Sequence, residues 1–343
     1  MPPFRGEPTA SLPITSHAPH RSVDARPAQA LPAGRRPEPG PIAVLPEPEP
    51  QFVEAVVAAG GIVSDLSDET RAVVWLDFEA PERLAAALEE HPGIRWVQLP
   101  WAGVDMFTGI MRAHSDLLWT SAKGAYAQPV AEHALTLTLS LLRLIPRRVR
   151  ATSWAQKREG RSLFGLTVVV VGAGGVCLEY IRMLKAFEAR VIVVRRTDEP
   201  VPGAERTVTA DRLLEVLPEA DVVMLGAALT EGSARLIGAQ ELAAMKSSAY
   251  LVNIARGGLV DQEALVDALA SGSIAGAGLD VTDPEPLPDG HALWSEPNVI
   301  ITPHSADTPE MVAPLLAERI RVNVRAFLGD GRFVGIVDPV SGY

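Results

Sequence analysis

Short apolar runs alternate with stretches of helical periodicity along most of this chain. IAVLPE (42–47), RAVVWLD (71–77) and IRWVQLP (94–100) read as strands. QFVEAVVAAGG (51–61) and ERLAAALEEHPG (82–93) read as the helices between them, stopped by glycine or Pro-Gly. This alternation predicts a parallel sheet covered by helices. QPVAEHALTLTLSLLRLIP (128–146) is apolar around so much of its circumference that it predicts burial, in a core or against a second subunit. We expect it to lead out of the first domain and to support a homodimer. RRVRATSWAQKREGRSLFG (147–165) is basic and polar, fit for a surface connection.

A second alternating series begins at Leu166. The apolar run to Val171 suits a strand buried on both faces, an amphipathic stretch to about Ala189 a helix, and Val191–Val194 the next strand. Helices are expected at 211–220, 241–247 and 263–272, and strands at 221–227, 249–255, 275–281 and 298–304. The closing helix, from Pro309 to about Leu328, is expected to cross back to the first domain.

The first turn of this second series is rich in glycine. Gly172 permits a tight turn after the strand, and Gly174 lets backbone approach a phosphate. Gly175 and Val176 open a helix whose N–H groups and positive dipole end favour an anion. Glycines between strand and helix often serve packing alone. Here strand, helix and following strand are all in place, so the pattern indicates a dinucleotide site. One departure stands out: the third position of G-x-G-x-x-G is Cys177, where close helix–strand packing favours glycine.

Composition narrows the class. The 343 residues are 47% hydrophobic and 21% charged, an ordinary globular balance with room for two domains. A net charge of −11 argues against nucleic acid or an anionic membrane as partner. Cys177 is the sole cysteine, which excludes an internal disulfide and a multi-cysteine metal site, and we expect no metal. Residues 1–40 hold Pro, Ala, Arg and Ser without apolar period and are expected to be disordered. With neither a secretory h-region nor a membrane-length run, a cytoplasmic location is expected.

Three polar residues fall where strands end. Arg256 follows LVNIA, Glu285 lies beyond LDVTDP, and His304 closes VIITPH. Any one of them has a mundane explanation. Together, beside a dinucleotide motif, they suit interconversion of a 2-oxo acid and a 2-hydroxy acid. Arg256 would bind the carboxylate and polarise the carbonyl, His304 would supply the proton, and Glu285 would fix the imidazole. The turn WAGVD follows another strand end, so the N–H groups of Ala102, Gly103 and Val104 are candidates to hold a carboxylate. Trp101, Tyr126 and Trp294 are candidate aromatic neighbours of the pocket.

VNIARGGLVDQEALVDAL (252–269), AGAGLDVTDPEPLP (275–288) and LWSEPNVIITPHSA (293–306) resemble the signature blocks of the D-isomer-specific 2-hydroxyacid dehydrogenases, in particular the glyoxylate/hydroxypyruvate reductases. The resemblance runs from about residue 41 to the closing SGY. It implies an α/β fold of two doubly wound parallel-sheet domains, a Rossmann-type cofactor domain inserted in a flavodoxin-like substrate domain, with an interdomain cleft. The implied division is a substrate domain of 41–143 and 307–343 and a dinucleotide domain of 144–306. The resemblance also implies a homodimer, Arg256, Glu285 and His304 as catalytic residues, and Ala102, Gly103 and Val104 as the carboxylate turn. It implies that Asp280 orients the nicotinamide amide.

Arg195 stands where NAD-preferring members carry aspartate. With Arg196 and Thr197 beside it, a 2′-phosphate is favoured, so NADP(H) is the expected cofactor, NAD(H) remaining acceptable. The expected function is reduction of a small 2-oxo acid to the D-2-hydroxy acid. The rival is a weakly catalytic NAD(P)-binding regulatory protein on the same fold, to which Cys177 lends weight.

Overall fold

A computed structural model describes residues 20–25, 27–77, 80–154, 157–340 and 342 of the chain. The first sheet holds β1 (Ile42–Leu45), β2 (Ala72–Trp75), β3 (Trp96–Gln98) and β4 (Leu118–Thr120), parallel and in that order. Val63 adds a one-residue parallel bridge to Ile42 on the outer side of β1. The chain therefore steps outward through α1 (Pro50–Ala58), reverses, and returns to β2. The doubly wound order of the substrate domain follows from that reversal. α2 (Pro81–Glu90) connects β2 to β3.

The second sheet is seven-stranded and parallel, in the order β11-β10-β9-β8-β5-β6-β7. Its members are β5 (Thr167–Val171), β6 (Arg190–Arg195), β7 (Arg206–Thr209), β8 (Val222–Leu225), β9 (Tyr250–Asn253), β10 (Gly276–Leu279) and β11 (Val299–Ile301). The order reverses between β5 and β8, the position where doubly wound sheets open a crevice for ligand. Successive side chains of β5 point to opposite faces. Val168 and Val170 join one core with Tyr180 and Leu184, while Val169 and Val171 join another with Leu251 and Leu265. Two covered faces explain why this strand reads as an unbroken apolar run, each buried valine contributing about 1.5 kcal/mol or more.

Two expectations need correction. The helix α3 (Ala127–Leu142) was assigned to the substrate domain, yet Ala131, Ala134, Leu137, Leu141 and Leu142 sit in one core with Val168, Val170 and Tyr180 of the cofactor domain. Thr138 Oγ1 and Tyr180 OH, 2.8 Å apart, tie α3 to α4 (Gly175–Leu184). Its buried positions are covered within the chain, while Leu135 and Leu139 on the same helix are only partly buried.

The second correction concerns residues 20–40. Gln29–Ala30 pairs antiparallel with Arg332–Phe333. Val23 N–H donates to the Gly124 carbonyl at 2.8 Å, and Asp24 accepts from the buried Arg319 at 2.6 Å. Local composition carries no trace of these contacts, because backbone pairing and a buried arginine's need for an anion are long-range demands. Residues 1–19 of the expected disordered tail lie outside the described residues.

The last long helix, α5 (Pro309–Leu328), lays Leu315, Leu316, Ile320, Val324 and Phe327 against β1, β2 and α1 of the first domain. The chain thus crosses between domains before α3 and again after β11, and the two sheets present their strand ends to one cleft.

Candidate active site

Gly172 closes β5 at the point where the strand order reverses. Its φ of +114° and the Gly226 carbonyl, 2.8 Å from where its Cβ would stand, both demand glycine. Gly174 precedes α4 in extended conformation with no side-chain cap, and a Cβ there would meet nothing within 4 Å. Gly174 thus leaves the approach to the start of α4 free of a side chain. Gly175 is buried against the Val23 backbone, whose carbonyl oxygen is 2.0 Å from where a Cβ on Gly175 would stand. Unbonded N–H groups of a first helical turn favour an anion. Arg195 ends β6, and Arg196 and Thr197 follow it along the same cleft. Arg195 Nη2 lies 3.4 Å from Glu199, whose side chain is largely exposed. An uncapped helix start with a side-chain-free approach, and arginine at the next strand end, fit a dinucleotide phosphate.

Arg256 follows β9 on a turn stapled by buried Asn253, which donates from Nδ2 to the Arg256 carbonyl (2.8 Å) and accepts from Ala255 N–H (3.1 Å). Gly257 lets this turn run against the loop after β10, since a Cβ would stand 1.9 Å from the Thr282 carbonyl oxygen. The guanidinium crosses the cleft. Nε donates to Asp105 Oδ1 at 3.0 Å, and Nη1 donates to the Ala255 carbonyl at 2.7 Å. Nη2 lies over the Ala102–Val104 turn, 1.6 Å from where a Cβ on Gly103 would be. Arginine and turn therefore form one surface, and any side chain at 103 would collide with it. Asp105 was missed as a partner of Arg256. Its place in WAGVD was visible, but which cation it met was not.

His304 Nδ1 and Glu285 Oε1 are 2.6 Å apart. The histidine backbone sits at φ +49°, a strained region for a residue with a Cβ, and its N–H is directed at the carbonyls of Asp280 (2.8 Å) and Thr302 (3.0 Å). Asp280, expected to orient the nicotinamide amide, lines the cleft and is bonded within the chain through both carboxylate oxygens. Oδ1 accepts from Thr302 Oγ1 (2.5 Å) and Ser305 N–H (2.9 Å), and Oδ2 accepts from Ala306 N–H (3.1 Å). His133 of α3 adds Nε2 at 3.0 Å from Thr302 Oγ1 and 3.4 Å from Asp280. Burial alone would raise the Asp280 carboxyl, but these bonds prevail and hold it below the ordinary carboxylate value. His133 and Thr302 went unread, because a histidine inside an apolar helix carries no local sign of what it faces.

Gly103, Arg256, Glu285 and His304 line the same cleft as Gly172, Gly174 and Arg195. Trp101 and Tyr126 line it too, in edge-to-face contact with centroids 6.0 Å apart. Trp294 does not: it is half exposed and donates to the Pro288 carbonyl at 3.1 Å. Asp307, unread in the sequence, also faces the cleft, and burial pushes its carboxyl up to about 6.

The family model for the NAD-binding domain of D-isomer-specific 2-hydroxyacid dehydrogenases matches residues 135–306. The chain belongs to this family. A glyoxylate reductase of Korarchaeum cryptofilum is 31% identical over 287 residues, covering 80% of this chain and 82% of that protein. An uncharacterized protein in the proB 3′ region of Corynebacterium melassecola is 38% identical over 296 residues, covering 84% and 95%. The solved D-isomer-specific 2-hydroxyacid dehydrogenase of Xanthobacter autotrophicus Py2, in complex with NADPH and MES, superposes with a TM-score of 0.77 at 27% identity. It covers 89% of this chain and 100% of its own. Family membership points to NAD(P)-dependent 2-hydroxyacid dehydrogenase activity. Among the described residues, no helix is long and apolar enough to cross a membrane, and no group of three or more His, Cys, Asp or Glu is placed to hold a metal ion.

Proposed function

We propose that this member of the family is an NADP(H)-preferring reductase of small 2-oxo acids, forming the D-2-hydroxy acid. The observation that carries the reading is that Arg256 over the Gly103 turn and the His304–Glu285 pair, 2.6 Å apart, line one cleft with the Gly172–Gly174 loop. A nicotinamide cofactor supplies the hydride that reaches the carbonyl carbon. The N–H groups of Gly175 and Val176 hold its pyrophosphate, and Arg195 with Arg196 and Thr197 holds a 2′-phosphate. A phosphate of nearly two charges outcompetes the single exposed carboxylate of Glu199 for Arg195.

Arg256 grips the substrate carboxylate together with the N–H groups of Ala102, Gly103 and Val104, and draws charge from the adjacent carbonyl. Asp105 and the Ala255 carbonyl hold the guanidinium in place for this. His304 donates a proton to the carbonyl oxygen as the hydride arrives, and Glu285 keeps the imidazole aimed. Asp280, His133 and Thr302 act one step removed, by fastening the 302–306 loop that carries His304.

Glyoxylate reductases among the relatives, and the NADPH complex of the Xanthobacter autotrophicus dehydrogenase, support the choice of substrate class and cofactor. The rival regulatory reading draws on Cys177 and on the N-terminal tail as an interaction segment; Gly226 opposite the Cys177 sulfur weakens the first of these. The deciding experiment follows NADPH and NADH oxidation with glyoxylate, hydroxypyruvate and pyruvate. Turnover with NADPH supports the proposal. Cofactor binding without turnover on any 2-oxo acid overturns it.

A further inference from the structure

Asp307 stands just before α5, facing the cleft that holds Arg256 and His304. Its carboxylate has no hydrogen-bonding or ion-pair partner among the described residues, although the residue is partly buried. The titratable groups that bear on it are His304 on its own loop, Asp280 after β10, His133 on α3, and Tyr126 at the start of α3. None of these neutralises it within the chain: His304 is engaged by Glu285, and His133 by Thr302 and Asp280. The phenol of Tyr126 points away, donating to the Pro100 carbonyl at 2.6 Å.

The cleft is therefore polarised. Arg256 and the N–H groups of 102–104 offer positive charge for the substrate carboxylate, Asp307 offers a negative charge elsewhere on the wall, and the rings of Trp101 and Tyr126 also line the space. An unpaired carboxylate in a partly desolvated cleft repels a second anion and attracts a cation more strongly than it would in water. An aromatic wall favours the same cation. We propose that Asp307 is a specificity-determining residue that selects 2-oxo acids whose tail carries a cationic ammonium or guanidinium group and rejects those whose tail carries a second carboxylate. The inference rests on the proposed 2-oxo acid reductase reading of the same cleft.

The test compares the parent with Asp307→Asn, nearly identical in shape, and with the smaller Asp307→Ser. Each protein, saturated with NADPH, is assayed on 2-oxo-5-guanidinopentanoate and on 2-oxoglutarate, tails of similar length and opposite charge. Binding of both acids is also read by tryptophan fluorescence, which does not depend on turnover. The parent is expected to prefer the guanidino acid in both kcat/KM and Kd, and either substitution is expected to cut that preference about tenfold or more. A preference absent from the parent, or unchanged in both variants, overturns the assignment. If no 2-oxo acid is reduced but the Kd preference exists and falls in the variants, the reductase reading fails and the role of Asp307 in charge selection stands.

Discussion

The sulfur of Cys177 lies 2.5 Å from the point a Cβ on Gly226 would occupy, and 3.6 Å from the Gly226 carbonyl oxygen. Helix α4 and strand end β8 meet here, where the glycine pattern of a dinucleotide loop favours the absence of a side chain on the helix. The chain has moved that absence across the interface. Glycine sits on the strand side, and cysteine fills the space from the helix side. Burial pushes the thiol up to about 12, so the group is a small apolar filler with no thiolate chemistry at neutral pH.

Gly226→Ala is accordingly expected to destabilise the protein by about 1–3 kcal/mol through overpacking. Adding Cys177→Gly should return part of that loss. Denaturant unfolding of the two single variants and the double variant reads the coupling, and strictly additive effects would refute the compensation.

His304→Ala is expected to lower kcat by about a hundredfold or more, as loss of a positioned proton donor does, while NADPH binding changes little. Glu285→Gln should fall between parent and His304→Ala, because the neutral amide can still meet Nδ1. Steady-state rates and fluorescence titration of NADPH check both. Near-parental turnover in His304→Ala would remove it from the proton path.

Replacing Arg195 by aspartate exchanges a cation for a group that accepts from a ribose 2′-hydroxyl and repels a 2′-phosphate. The ratio of kcat/KM for NADPH over NADH should drop at least about tenfold in Arg195→Asp. A parent enzyme that already favours NADH would count against the assignment.

Asp307 also predicts a pH signature in stability. Burial raises its carboxyl from 3.8 to about 6, with Asp280 adding to the rise and His304 and His133 opposing it. Below about pH 4 the group is protonated whether the chain is folded or not, so folding carries no penalty from it. Between about pH 4 and 6 the unfolded chain releases the proton more readily, and stability is lost as pH climbs through that window. Asp307→Asn is spared this loss. Its Tm relative to the parent should rise from pH 4 to pH 6 and then level off, and a pH-independent difference would show that the carboxylate is well solvated.

Arg319 is 3% exposed and donates to the carbonyls of Ser121 (3.1 Å) and Lys123 (2.9 Å) and to Asp24 (2.6 Å). Asp24→Ala leaves that guanidinium without its anion and should cost about 2–3 kcal/mol. Adding Arg319→Met should recover part of the loss. If thermal unfolding of Asp24→Ala matches the parent, residues 20–25 contribute nothing to holding the structure together.

Sequence alone determined the parts of this protein governed by local periodicity. β5 reads as doubly buried because its four consecutive valines must be covered on both faces, and Gly172 announces a turn that backbone sterics reserve for glycine. Arg256, Glu285 and His304 were legible because each follows an apolar run, and in a parallel sheet the ends of such runs share one edge. Strands β4 and β7 were not read, since Leu118–Thr120 is three residues long and Arg206–Thr209 alternates polar groups at a sheet edge. Only the tertiary structure decided which surface covers α3, that Gly226 makes room for Cys177, and that Asp105 meets Arg256 from 151 residues away. It also decided that residues 20–25 answer a buried arginine, and that Asp307 faces the cleft unpaired. The reason is common to all of these. A charge or a side-chain volume acquires its energy from whatever stands next to it in space, and that neighbour comes from a distant segment whose own sequence carries no mark of the meeting.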